Sequence, residues 1–158
     1  MKWLNHQAVT GFIMYAATDD LLLALCGMAG AILPDKMEGN PRGGISSIGW
    51  RSRHRGWSHW PLLYLAMMGL LLKWQGIPSF PEFFGNDSMR ESPAMVGLAV
   101  CCGALLHIAE DALCGKVPLF LPDRKYGIRL FKVGSVKEYI VSIGIVLLCY
   151  AIKLWHGA

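Results

Sequence analysis

Three long apolar segments limit the fold of this chain more than any other feature. They run from about Trp57 to Trp74, from Pro93 to Cys114 and from Val136 to Trp155. Each is long enough to cross the hydrocarbon core of a bilayer, about 30 Å thick, as a helix. With 54% hydrophobic and only 16% charged residues, the chain is too apolar for an ordinary soluble domain. The sequence therefore predicts a single integral-membrane domain, residues 1–158, with an all-α fold.

The apolar run that precedes Pro34 is interrupted by Asp19 and Asp20. We predict that it forms two short helices, one over residues 5–18 and one over 20–33. Thr18 or Asp19 is expected to cap the second helix, and Pro34 is expected to close it. At about 1.5 Å per residue each helix covers roughly 20 Å, so the two would form a thin or partly embedded hairpin. The expected architecture is a polytopic bundle of about four to five membrane helices.

Basic residues are concentrated in two of the connecting stretches. Eleven of the fifteen Lys and Arg residues lie in residues 34–56 and 115–137. Because cytoplasmic loops carry an excess of Lys and Arg, both stretches are predicted to lie in the cytoplasm. The connection 75–92 has three acidic residues against one arginine, and we expect it on the opposite side.

Histidines and aspartates recur at the predicted cytoplasmic ends of the apolar segments. Ionisable groups at such positions cost several kcal/mol unless they are paired or coordinated. His107 and Asp111 are four residues apart on a predicted helix and therefore share a face. Imidazole and carboxylate groups are ligands of zinc, manganese and iron. The predicted metal ligands are His6, Asp35, His54, His59, His107 and Asp111.

Each part of this pattern has a simpler reading when it is taken alone. His107 and Asp111 could form an intramembrane polar pair without metal, and the segment of His54 and His59 could be a basic, aromatic patch at lipid headgroups. Glu38 is typical of an ordinary loop acid. However, three separate segments that bring His and Asp to one face are better explained by a metal centre. We expect one or two divalent ions, with zinc favoured and manganese or iron as alternatives.

Three short motifs resemble those of a known family. They are Leu33-Pro34-Asp35, His54-Arg55-Gly56-Trp57-Ser58-His59 and His107-Ile108-Ala109-Glu110-Asp111. Over about residues 5–122 the chain resembles the YdjM-like predicted metal-dependent hydrolases of the bacterial inner membrane, some of which are LexA-regulated. The resemblance implies a metal-dependent hydrolase of that membrane, and the distribution of Lys and Arg predicts that its site faces the cytoplasm. The chain departs from the family at Met37 and Glu38, where a second aspartate and a histidine are usual, and Glu110 is an addition.

The spacing is also similar, more distantly, to the zinc-dependent phospholipase C and P1 nuclease group. That likeness implies an all-helical fold and phosphoester cleavage. We therefore expect a metal-dependent hydrolase that uses metal-activated water on a phospholipid or another amphipathic phosphoester. Glu38 and Glu110 are the expected proton acceptors. The expected ligands of the substrate phosphate are Arg51, Arg53 and Arg55.

Other partners and other functions follow less directly from the sequence. Membrane lipid is the expected partner, and the sequence leaves open whether the chain forms a homo-oligomer. Nucleic acid is disfavoured as a substrate because no basic groove interleaved with aromatic residues is evident. The alternative function is a non-catalytic membrane protein with a structural metal, acting by assembly or membrane permeabilisation. A transporter is disfavoured because the ionisable residues gather at one face and not near the middle of the membrane.

Overall fold

The structure is a computed structural model that describes residues 1–39, 55–76 and 92–157. Its helices are α1 (Trp3–Thr18), α2 (Leu21–Gly30), α3 (Leu33–Glu38), α4 (Pro61–Trp74), α5 (Pro93–Cys114) and α6 (Val136–Gly157). A 3-10 turn, Trp57–His59, precedes α4, and two antiparallel strands follow α5, β1 (Val117–Pro118) and β2 (Lys125–Tyr126). The described part of the chain is mostly helical, as predicted.

Helix α5 lies at the centre of the described structure, where it packs against α1, α2, α3 and α4. Its buried residues Leu98 and Ile108 belong to one apolar core with Leu23 of α2 and Tyr64 of α4. Close van der Waals contacts among such side chains favour the packing of these helices. Because α5 contacts four other helices, it sets the relative positions of the elements that carry the site.

The backbones of α2 and α5 come into close contact because glycines lie between them. A Cβ atom at Gly103 would lie 2.0 Å from the carbonyl oxygen of Gly27, and one at Gly30 would lie 2.1 Å from that of Val100. Small residues at such crossings are typical of membrane helix bundles, where close backbone approach stabilises the packing. This contact holds α2, and the start of α3 that follows it, against α5.

Helix α6 packs mainly against α1 and leaves most of its apolar side chains exposed. Its first turn is attached by the buried carboxylate of Glu138, which accepts hydrogen bonds from Lys2 N at 2.7 Å and from Asn5 Nδ2 at 2.6 Å. Only 11% of the apolar stretch Val136–Trp155 is buried, so α6 is not the core helix of a soluble domain. It and α5 are the two described helices that are long and apolar enough to cross a membrane.

Helix α4 is shorter than the sequence predicted. The prediction placed one helix from Trp57 onward, but Trp57–His59 forms a 3-10 turn and the α-helix begins at Pro61. Proline is favoured in the first turn, where its missing N–H leaves no hydrogen bond unmade. With 14 residues α4 covers about 21 Å, which is short for a bilayer core of about 30 Å. The prediction of four to five membrane helices therefore stays a prediction.

Two predictions for the start of the chain were wrong. Helix α2 is capped by Asp20, whose side chain accepts a backbone N–H in the first turn at 3.1 Å, and not by Thr18 or Asp19. Pro34 does not close α2 but lies in the first turn of the separate helix α3, a position that suits proline. Asp35 consequently lies in the first turn of α3, beside the end of α5.

Candidate metal centre

Four side chains from three parts of the chain meet beside the last turns of α5. They are Asp35 of α3, His59 of the 3-10 turn, and His107 and Asp111 of α5. One ligand atom from each lies within 4.8 Å of the other three. His59, His107 and Asp111 are buried, and Asp35 is partly buried. The structure thus brings together four of the six predicted metal ligands.

The distances among the four ligand atoms suit one small ion. His59 Nε2 lies 3.2 Å from His107 Nε2, and His107 Nε2 lies 3.7 Å from Asp35 Oδ1 and 3.8 Å from Asp111 Oδ2. His59 Nε2 lies 3.4 Å and 3.6 Å from the same two oxygen atoms. In a tetrahedral site, bonds of about 2.0–2.1 Å place neighbouring ligand atoms about 3.3–3.4 Å apart. The four residues could hold a metal ion after small side-chain shifts.

Local structure explains why these residues meet. His107 and Asp111 lie one turn apart near the end of α5, so their side chains project from the same face. His59 ends the 3-10 turn just before Pro61 begins α4, which packs against α5. The first turn of α3 brings Asp35 to the same place, because α3 also contacts α5 and the 3-10 turn.

Glu38 and Trp3 orient two of the four ligands. Glu38 Oε1 lies 3.0 Å from His59 Nδ1 and accepts hydrogen bonds from Ser58 Oγ at 2.7 Å and Gly56 N at 3.2 Å. The indole Nε1 of Trp3 donates to Asp35 Oδ2 at 2.7 Å. A carboxylate against one ring nitrogen, with the other nitrogen facing the site, is typical of metal-binding histidines. Ser58 is thus a partner of Glu38.

The electrostatics of the group favour a positive charge at its centre. Burial alone lowers the pKa of His59, but hydrogen bonds to Asp111, Asp35 and Glu38 outweigh it and raise the pKa to about 10. Burial likewise raises the pKa of Asp35, but the hydrogen bond from His59 together with the smaller effects of His107 and Trp3 outweighs it and holds the pKa below its usual value. These carboxylates therefore stabilise an imidazolium. A divalent ion would neutralise the same carboxylates and displace the proton of the imidazolium.

His6 adjoins the four-residue group on the side of Asp111. Its Nδ1 lies 2.6 Å from Glu110 Oε2, and its Nε2 lies 3.4 Å from Asp111 Oδ1. Thr10 donates a hydrogen bond to Glu110 Oε1 at 3.2 Å. The ring centroids of His6 and His107 are 4.0 Å apart. The predicted ligand His6 is thus next to the group, and Glu110 holds it much as Glu38 holds His59.

Arg55 places a positive charge directly against Asp111. Its Nε lies 2.7 Å from Asp111 Oδ2, and its Nη1 approaches Gly115 so closely that a Cβ there would lie 1.7 Å away. The backbone of Arg55 is left-handed, with φ of +58°, a conformation that costs on the order of 1–3 kcal/mol for a residue other than glycine. Three predicted site residues lie outside the described residues: Arg51, Arg53 and His54.

Sequence reasoning missed two residues that support the site. Trp3 contacts Asp35 from a different helix, and no spacing in the sequence indicates that contact. Thr10 lies four residues after His6 on α1, and this spacing places both side chains on one face. The second contact could therefore have been found from the sequence, once His6 was chosen as a candidate ligand.

Comparison with known proteins identifies one family. A family model described as YdjM inner membrane protein matches residues 1–157, so the chain belongs to this family, as the motifs indicated. No curated protein and no solved structure matches the chain. The family description agrees with the presence of two helices that could span a membrane.

Proposed function

We propose that this member of the YdjM inner membrane protein family is a metal-dependent hydrolase that cleaves a phosphoester at the cytoplasmic leaflet. The observation that carries the proposal is the convergence of Asp35, His59, His107 and Asp111 at distances that suit one divalent ion. Two nitrogen and two oxygen ligands suit zinc, and manganese or iron are alternatives. The substrate we propose is a phospholipid or another amphipathic phosphoester.

The side chains around the group have separate parts in this proposal. A bound ion would supply Lewis-acid polarisation of the phosphoryl group and a water of lowered pKa. Glu38 fixes the orientation of His59 through its contact with Nδ1. Arg55 is the proposed ligand of the substrate phosphate, since its guanidinium lies at Asp111 Oδ2 and has a planar shape that suits phosphate oxygens.

His6 and Asp111 provide a place for a second ion. The Oδ2 atom of Asp111 lies near His59 and His107, while its Oδ1 atom lies 2.6 Å from the N-terminal nitrogen of Met1 and 3.4 Å from His6 Nε2. His6 and Asp111 would hold a second ion after a shift of the Met1 amino group, and that ion would supply further Lewis-acid polarisation of the phosphoryl group. Glu110 would then orient His6 as a ligand of the second ion.

Metal analysis combined with an activity assay tests the proposal. Purified protein should contain a divalent ion and should hydrolyse a phospholipid or bis(p-nitrophenyl) phosphate in a reaction that EDTA stops. We expect the double variant His107→Ala, Asp111→Ala to lose the ion and at least about 100-fold of the activity, because half of the ligands are removed. The matched control is Asp123→Asn, an exposed carboxylate in the stretch after α5, which should leave both measurements unchanged.

Two results would count against the proposal in different ways. Full retention of metal by the double variant would show that the ion binds elsewhere. The protein could instead bind metal and show no EDTA-sensitive hydrolysis of any phospholipid or phosphodiester in a panel. That result would contradict the proposed hydrolase activity but not the metal centre.

A structural metal in a non-catalytic protein is the second candidate function, and the ligand count favours it. Structural zinc is closed by four protein ligands, whereas catalytic zinc keeps a position for water. The four-residue group offers four ligand atoms. X-ray absorption spectroscopy of the zinc-loaded protein would separate the two candidates. Four protein ligands without a bound water would favour the structural role.

A further inference from the structure

A cleft beside the start of α6 contains several positive charges. Its volume is about 650 Å³, and Arg129, Lys132 and Lys137 line it. No aspartate or glutamate is among the lining residues in the described part of the chain. A second cleft of about 600 Å³ has a different character, since Glu38 and Asp123 line it together with Lys125. The first cleft is therefore the one whose charge suits an anion.

Hydrogen-bond donors in this cleft suit a phosphate group. Ser135 precedes the first residue of α6, and its buried hydroxyl oxygen has no hydrogen-bond partner within residues 1–39, 55–76 and 92–157. The 22 residues of α6 add a partial positive charge of about +0.5 at this end. Glu138, in the same turn, does not line the cleft, because its buried carboxylate is bonded to Lys2 N and Asn5 Nδ2.

An apolar surface leads from the cleft along the outside of α6. Val136 lines the cleft and is 74% exposed. Ile140, Ile143 and Leu147 are also exposed and recur at helical spacing after Val136, so the four side chains share one face. A cationic pocket next to an exposed apolar face complements a molecule with an anionic head and hydrocarbon tails. Inorganic phosphate would make no use of that face.

We propose that this cleft binds the phosphate group of an anionic phospholipid, with the acyl chains along the exposed face of α6. Arg129, Lys132 and Lys137 neutralise the headgroup, and Ser135 donates a hydrogen bond to a phosphate oxygen. The cleft contains none of the four residues of the candidate metal centre. This lipid binding goes beyond the proposed hydrolysis and does not require it.

Native mass spectrometry of the detergent-solubilised full chain tests the lipid site. The probes are phosphatidylglycerol, phosphatidylcholine of the same chain length, and inorganic phosphate in a separate series. We expect phosphatidylglycerol to bind more tightly than phosphatidylcholine, and the variant Arg129→Gln, Lys132→Gln to weaken this binding on the order of 20-fold. The matched control is Arg124→Gln, an exposed arginine of the same stretch that does not line the cleft, and it should change binding less than two-fold.

Two further variants distinguish lipid binding from phosphate binding and from metal binding. Val136→Glu alters an exposed position, so the fold should persist. We expect this variant to bind phosphatidylglycerol more weakly and to bind inorganic phosphate as before. His107→Ala should keep lipid binding even if metal is lost, so a failure of the lipid site and a failure of the metal centre are distinguishable. Equal weakening by Arg124→Gln, or inorganic phosphate binding as tightly as the lipid, would overturn the proposal.

Discussion

Glu38 and Glu110 each place a carboxylate oxygen against the Nδ1 atom of a buried histidine, at 3.0 Å from His59 and 2.6 Å from His6. From the sequence, both were predicted to be proton acceptors. The sequence shows that they lie near the predicted metal ligands but does not show where their carboxylate oxygens point. In the structure both carboxylates are positioned to orient an imidazole. The distinction between them is that His59 belongs to the four-residue group, whereas His6 lies beside it.

The first prediction concerns Glu38. We expect Glu38→Gln to lower the affinity for zinc about 10- to 100-fold, because loss of an orienting carboxylate leaves His59 less basic and less fixed. Competition with a chelating dye measures the affinity. The matched control is Glu110→Gln, which removes the corresponding carboxylate from His6. It should lower the zinc affinity of the four-residue group much less. The four-residue group includes His59 and excludes His6. Equal losses of zinc affinity in the two variants would contradict that assignment.

At the scale of helices and turns, the glycine contact between α2 and α5 connects packing to the site. Gly103 and Gly27 allow the two backbones to touch, and α2 leads directly into α3 with Asp35. Any separation of α2 from α5 would displace Asp35 from His107. The geometry of the metal centre therefore depends on residues that have no chemical function of their own.

The second prediction is that Gly103→Ala destabilises the protein by about 1–3 kcal/mol, because the new Cβ would lie 2.0 Å from Gly27 O and force the helices apart. Thermal denaturation in detergent measures the change, and metal affinity should fall with it. Gly69→Ala is the matched control in α4, since a Cβ there meets no atom within 4 Å. A stable Gly103→Ala protein with unchanged metal binding would show that the contact does not position Asp35.

The sequence predicted some elements well because their ends are marked by physical signals. The apolar runs of α5 and α6 have clear limits, and the predicted bounds agree with Pro93–Cys114 and with the start of α6 at Val136. Pro34 misled the prediction because proline is equally common after one helix and in the first turn of the next. Glu138 was missed, although an acidic residue at the start of a long apolar helix is itself a signal for a buried contact.

The candidate site was predictable to the extent that it depends on local spacing. His107 and Asp111 follow from a separation of four residues on one helix, and the convergence of Asp35 and His59 on them follows from topology. The contacts of Trp3 and Arg55 do not follow, because they depend on side-chain direction between elements that are distant in sequence.

For the whole molecule, the elements that carry the site all meet at one end of α5. The start of α1, the helix α3 and the start of α6 gather there, together with the basic stretch that follows α5. The other end of the bundle has Asp19, which forms an ion pair with Lys153. The cytoplasmic orientation of the site end stays a prediction.

The third prediction concerns that orientation. In a variant without native cysteines, Asp123→Cys should react with a membrane-impermeant maleimide only from the cytoplasmic side, because the surrounding stretch is rich in Lys and Arg. Gln75→Cys, just after α4, should react only from the opposite side. Labelling of intact cells and of inverted vesicles measures both. Reaction of the two positions from the same side would contradict the predicted topology.

The order of the ligands along the chain has a consequence for biosynthesis. Asp111 is the last of the four in the sequence, and α6 begins only at Val136. All four ligands therefore leave the ribosome before α6 does, and binding of an ion can contribute to folding at that stage. Helix α6 can dock against α1 only after that stage, when Glu138 becomes available to accept hydrogen bonds from Lys2 N and Asn5 Nδ2.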